Sequence, residues 1–174
     1  LATGDSLTVL NGAFCADNDG TCTSLVAGEI RADAFPTTGG DIAEYMYSEG
    51  VLPPGTVVAA HPTIKEGVMA ANKAYDASVV GIVSDVDGVL SDIRPGIKLS
   101  RDKGNTPVAI AGRVMAKFDA SNGEVFPGDP LTTSTDGRLM VAKKAGPIVG
   151  KALGVAENGY VVTMLNVGWY NPDD

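Results

Sequence analysis

The sequence predicts a mainly β fold: a compact domain rich in Pro-Gly turns, barrel or β-clip-like, preceded by a thin β segment. Three observations predict it. The first is a unit that occurs twice, in which a Pro-Gly turn feeds one apolar strand and a second apolar strand carries a glycine. One copy joins Leu52-Pro53-Pro54-Gly55-Thr56-Val57-Val58 to Val79-Val80-Gly81-Ile82-Val83-Ser84. The other joins Phe126-Pro127-Gly128-Asp129-Pro130-Leu131 to Ile148-Val149-Gly150-Lys151-Ala152-Leu153. Proline presets φ for the first central position of a turn and glycine supplies φ > 0 at the second, so each pair marks a reversal into a strand. A third such turn, Arg94-Pro95-Gly96, lies between the copies. The second observation is composition: 22 Gly and 10 Pro, with 44% apolar and 20% charged residues, describe a folded and loop-rich chain. The third is negative, since no segment carries the 3.6-residue apolar period of an amphipathic helix of ordinary length.

The elements follow in order. Residues 7–10, 23–26 and 29–32 are short strand-like pieces separated by Gly, Asn and Asp, too thin to enclose a core alone. They gain stability by stacking on repeats or on the same segment of other subunits. Residues 1–40 therefore read as a β stalk or trimerisation segment, and Phe35-Pro36-Thr37-Thr38-Gly39-Gly40 as the connector to a globular domain over 41–174. Asp41-Ile42-Ala43-Glu44-Tyr45-Met46-Tyr47 alternates as a half-buried strand does, with a short helix as the competing reading. Residues 57–60, 67–71 and 79–83 continue the β pattern, the last as a run suited to burial on both faces. Residues 107–118 form the longest strand expected, with Gly112 marking a bulge or a close backbone approach. Asp136-Gly137 turns a hairpin between 131–133 and 138–142, and 160–167 is the last core strand, with Trp169 and Tyr170 after it.

Charge and size limit the function classes. Thirteen Lys and Arg against 21 Asp and Glu give a net charge of −8, which repels nucleic acid and anionic membranes over most of the surface. No run approaches the ~20 apolar residues of a membrane helix, and no signal-peptide pattern opens the chain. The first residue is Leu1 rather than Met, and the expectation is a piece of a longer polypeptide. The two cysteines, Cys15 and Cys22, flank Asp17-Asn18-Asp19-Gly20, a turn that brings the thiols together. A local disulfide is expected, and with it an extracellular, cell-surface or virion location. The competing reading is two reduced small hydrophobes. Zinc is not expected with two thiolates and His61 as the one histidine; calcium on Asp17, Asn18 and Asp19 lacks a later bidentate Glu.

Asp41-Ile42-Ala43-Glu44-Tyr45, the Pro-Gly turn, Val80-Gly81-Ile82-Val83-Ser84 and Val108-Ala109-Ile110-Ala111-Gly112-Arg113-Val114 together resemble C-terminal domains of bacterial surface proteins and phage tail fibres. These include the self-cleaving intramolecular chaperone domains called peptidase G2. Residues 122–134 and 145–153 are similar to β domains at the ends of such fibres and to small trimeric phage decoration domains. The resemblance covers residues 41 to about 167. It implies a trimeric stalk upstream and a homotrimer, in line with the physical argument that three weak strand layers close a core one chain cannot.

The candidate chemistry is sparse. Autoproteolysis needs a nucleophile, a base and oxyanion donors. Ser84 beside Asp85, with Asp41 and Glu44 near the domain entrance, supplies the groups; the competing reading is a strand-ending turn in which Ser and Asp bond the local backbone. His61 with Ser48 or Ser84 would serve a small hydrolase, yet no Gly-x-Ser-x-Gly elbow, Walker loop or dinucleotide fingerprint is present, so no cofactor is expected. Tyr45, Tyr47, Trp169 and Tyr170 are amphipathic rings fit to stack on sugars or enter a partner's pocket, against core packing or subunit contact as the alternative. Tyr45 and Tyr47 have strand parity and share a face. Lys143 and Lys144 read as a solvated hairpin edge. The function expected is a structural and adhesive tip domain of a trimeric extracellular fibre, driving trimer assembly and touching a cell-surface glycan or protein. The alternatives are the self-cleaving chaperone and a monomeric hydrolase.

Overall fold

The computed structural model describes residues 14–16, 30–32, 40–84 and 105–173. The chain divides into two compact units, Leu1–Pro36 and Thr37–Asp174. In the first, β1 (Phe14–Ala16) pairs in parallel with β2 (Ile30–Ala32), Cys15 lying opposite Arg31. A parallel pair needs a crossover connection of about a dozen residues or more, and the stretch between β1 and β2 is long enough to supply one. The disulfide and the calcium candidates Asp17, Asn18 and Asp19 fall outside the described residues.

The second unit is a nine-stranded antiparallel sheet curled into a half-barrel. Its strands are β3 (Asp41–Tyr47), β4 (Val57–Ala60), β5 (Val68–Ala70), β6 (Val79–Val83), β7 (Asn105–Lys117), β8 (Pro130–Thr133), β9 (Leu139–Val141), β10 (Gly146–Ala152) and β11 (Tyr160–Tyr170). Their order is β5-β4-β6-β7-β11-β10-β8-β9, with β3 also on β7. One 3₁₀ turn, Ala120–Asn122, is the single helical element among the described residues, none of which forms a helix long and apolar enough to cross a membrane. β3 is a strand, so the helical reading of residues 41–47 gives way to the alternation of its burial.

The hub is β7. Its first half pairs with β3 and β6, its second half with β11. Between the halves Gly112 has φ +100° and lies so close to the Gly40 carbonyl that a Cβ there overlaps it, which is the close approach its position in a long strand signals. The curl is tight enough for the Lys117 N–H, at the far end of β7, to reach the Gly55 carbonyl at 2.9 Å beside Val83.

The repeated unit of the sequence is repeated in space. Gly55 N–H donates to Val83 O and Val83 N–H to Thr56 O; Gly128 N–H donates to Ala152 O and Ala152 N–H to Asp129 O. Val58 lies opposite Gly81 and Ala70 as Leu131 lies opposite Gly150 and Val141. Ala109 in β7 flanks Gly81 as Met164 in β11 flanks Gly150. Each copy is thus a hairpin, a return strand and a long neighbour.

Two apolar clusters lie on the two faces of the first copy. Val57, Ile82 and Ala109 join the main core with Val114, Val125, Leu131, Leu139, Val161 and Leu165, while Val58, Val68, Val83 and Val108 form a second cluster under Met46, Leu52 and Val80. Strand alternation makes this division: neighbours along one strand serve opposite faces. Residues 79–83 are accordingly buried on both faces.

Polar groups fix the turns. Asp119 caps the 3₁₀ turn by accepting from the Ser121 N–H at 2.9 Å, and its other oxygen accepts from the Ser134 hydroxyl. The Ser134 bond, then the Ser121 bond, hold the Asp119 carboxyl below the ordinary aspartate range. A group depressed by folding stabilises above its unfolded pKa and stops doing so as pH falls through the folded one. Thermal stability should therefore drop as pH falls below the ordinary aspartate range, and Asp119→Asn should lower stability at neutral pH while flattening that acid limb. An acid limb unchanged in the variant would contradict this. Lys143 is not held by solvent alone: its N–H donates to the Tyr75 hydroxyl at 2.8 Å, and the Lys144 ammonium sits 4.8 Å from the Tyr75 ring centre.

Candidate functional site

β7, β11 and β10 lie side by side, so their outward residues form one surface. Val114, Ala116, Val161, Leu165 and Ala152 point into the core, and the positions between them point out. Across the strands Met115 is opposite Val162, Met164 is opposite both Arg113 and Lys151, and Tyr160 is opposite Lys117. Met115 and Met164 are each 44% exposed, and Leu153 and Val155 beyond β10 are exposed with them. Two shallow depressions of about 620 and 340 Å³ open on this surface and share Leu153 as a wall. Arg113 and Lys151 stand among the apolar side chains, with Glu157 at one margin. Exposed apolar side chains grouped in this way are the kind of surface at which proteins meet other molecules. Methionine suits such a surface because its unbranched thioether adapts to the partner's shape.

β11 runs past the sheet. It pairs with β7 only as far as Leu165, and its end pairs with β10 alone, Gly168 with Ile148, Trp169 with Pro147 and Tyr170 with Gly146. A bulge between Ile148 and Gly150 places one extra residue in β11 here. Trp169 is therefore in the strand rather than after it, and it is 69% exposed while Tyr170 is half-buried. A domain poor in aromatics would be expected to bury its one tryptophan, and this one is presented.

The remaining candidates are dispersed. Tyr45 and Tyr47 are half-buried on β3, and Tyr45 lines a depression of about 540 Å³ with Glu44, Met46, His61, Ile64, Glu66 and Val80. His61 is committed to its turn: its Nδ1 accepts from the N–H groups of Thr63 at 3.3 Å and Ile64 at 3.2 Å, which places the proton of the neutral ring on Nε2. Ser48 donates to Gly50 O at 2.6 Å and bonds Thr106. Ser84 is 1% exposed, its N–H is spent on Pro107 O, and its hydroxyl has no partner among the described residues. Asp41 pairs with Gly112 and Glu44 with Val108, three residues apart along β3, or about 10 Å at the rise of a strand. Asp85 lies outside the described residues. Among the described residues no base is brought onto Ser84, and no group of three or more potential metal ligands occurs.

An unpartnered buried hydroxyl contributes nothing to stability and its desolvation is a cost. Ser84→Ala should leave the stability to unfolding unchanged or raise it by up to about 1 kcal/mol. Destabilisation by more than that would mean a partner for the hydroxyl.

Residue types on the outer surface were legible in part. Apolar residues at both parities of 113–117 and 160–165 read the same whether a strand is buried on two faces or buried on one and docked on the other. Met115, Met164 and Leu153 were missed for that reason.

No protein-family model matches the chain, and no curated protein matches it. Among solved structures the chain is similar to the pre-mature bacteriophage phi29 gene product 12, with 17% sequence identity and a TM-score of 0.48. The match covers 81% of this chain and 23% of that one, so the chain spans less than a quarter of that protein's length.

Proposed function

We propose that the chain is a structural module of an extracellular fibre, on a cell surface or a virion, that assembles with two further copies of itself and presents its loops and strand ends to a surface glycan or protein. The observation that carries this reading is the apolar outer surface of β7, β10 and β11, where Met115, Met164 and Leu153 stand in solvent on an otherwise acidic protein. Burying such side chains stabilises by about 25 cal/mol for each Å² removed from water. A second copy of the chain is a partner always present at equal concentration, and self-association also hides strand edges.

Trp169 extends the reading to adhesion. It stands exposed near the end of β11, where an indole ring can stack on a sugar face. Catalysis has no comparable support, since Ser84, Ser48 and His61 are separately engaged or buried. Lysine cross-linking of the folded chain followed by denaturing electrophoresis tests the assembly. A covalent three-copy product, absent when the chain is denatured before the cross-linker is added, is expected; a product of one copy only overturns the reading.

A further inference from the structure

The spatial repeat says what should cover the outer surface. Residue by residue, Val57, Ile82 and Ala109 of the first copy correspond to Pro130, Lys151 and Met164 of the second. The first three are fully or nearly fully buried in the main core. The last three are half-buried or exposed. Likewise Val58, Val68, Val83 and Val108 correspond to Leu131, Leu139, Ala152 and Thr163. In the main core, then, one repeat lays its Val57 face upon the Leu131 face of the next. The same step taken once more leaves the Met164 face uncovered at one end of the chain, while the Val58 face at the other end lies beneath a thin layer of the chain's own Met46, Leu52 and Val80.

We propose that the two end faces meet between copies: the Met164 face of one protomer packs on the Val58 side of the next, in a head-to-tail contact. It rests on the self-assembly reading above and specifies the surfaces that reading leaves open. The Val58 side is covered by Met46 and Val80, which line the 540 Å³ depression with Glu44, His61, Ile64 and Glu66. Its charge complements the incoming face. Glu44 and Glu66 rim the depression, while Arg113 and Lys151 flank Met164 on the other face, with Glu157 the one acid there. The Lys65–Glu66 contact at 3.7 Å is between two strongly exposed side chains and yields readily to a closer partner. Because the two faces differ, the contact is heterologous, and it gives a closed ring when the rotation per copy divides a full turn. Three copies are the ring the assembly reading requires.

Charge reversal separates the outcomes. Arg113→Glu with Lys151→Glu, or Glu44→Lys with Glu66→Lys, places like charges across the contact and should raise the concentration for half-assembly by about 100-fold. All four changes together restore opposite charge and should restore the three-copy mass. Circular dichroism should show every variant folded, since the altered side chains are at the surface. A further arm uses mixing: the Arg113→Glu, Lys151→Glu chain and the Glu44→Lys, Glu66→Lys chain carry opposite charge at both contacts, so they should associate when mixed although neither associates alone. If the unaltered chain assembles but Glu44→Lys with Glu66→Lys leaves it unchanged, the head-to-tail contact is wrong and self-assembly stands. A single-copy mass for the unaltered chain overturns both.

Discussion

Gly81→Ala or Gly150→Ala is expected to cost about 3 kcal/mol or more. A Cβ on Gly81 overlaps the Ala109 carbonyl oxygen and comes within 2.9 Å of a Val108 methyl; on Gly150 it overlaps the Met164 carbonyl oxygen. The obstacle in both cases is backbone of the neighbouring strand, which cannot rotate aside as a side chain does. Either variant must separate β6 from β7, or β10 from β11, and lose ladder bonds that join the hub to its repeats. Neither glycine has a positive φ, so the effect is steric. Gly159→Ala is the control: it has φ +79° but nothing within 4 Å of the added carbon, and should cost only the backbone strain of about 1 kcal/mol. Urea titration of the three variants distinguishes these values. A loss under 1 kcal/mol at Gly81 and Gly150 would mean that the strands are not so closely apposed.

Met115→Asp together with Met164→Asp should abolish assembly and leave the fold intact. Each side chain is nearly half exposed in the single chain, so a carboxylate there is solvated and stability should move by no more than about 0.5 kcal/mol. In the assembled state the carboxylate at position 115 enters an apolar contact, and the one at position 164, beside Arg113 and Lys151, competes with the acids of the opposing face, so that assembly loses about 3–5 kcal/mol. The contrast between a large effect on assembly and a small one on folding distinguishes an interface from a core. Trp169→Ala makes the complementary separation, since its loss should leave the mass unchanged and weaken attachment to a glycan-bearing surface. If the double methionine variant unfolds, those residues are core and the surface reading fails.

Local chemistry made the repeat legible. Pro53-Pro54-Gly55 and Pro127-Gly128 dictate turns through φ alone, and Gly55 and Gly128 indeed have φ of +75° and +93°. Gly81 and Gly150 stood out as glycines inside apolar strands, and close backbone approach is their reason. What was not legible depends on pairing between distant segments. The bulge that carries β11 through Trp169 and Tyr170 arises from the register of β10 against β11, and no single strand encodes it. The parallel match of β1 to β2 is equally non-local. The reversal of faces between the two repeats is the subtler case: Ile82 and Lys151 occupy equivalent positions, and their chemical difference shows only after the register is known. Asp41, Glu44 and Ser84 supplied the groups that self-cleavage needs without any sign in the sequence that they meet; β3 and β6 pair with the same residues of β7 from opposite edges, so Glu44 and Ser84 are kept a strand apart and Asp41 lies further along.

Self-assembly through the surface of β7, β10 and β11 is the central claim, and the mass of the chain in solution tests it most directly. Size-exclusion chromatography with light scattering, run over a range of concentrations, should give about three times 17.8 kDa, falling toward one copy only on strong dilution. A mass of 17.8 kDa that holds at every concentration would contradict it.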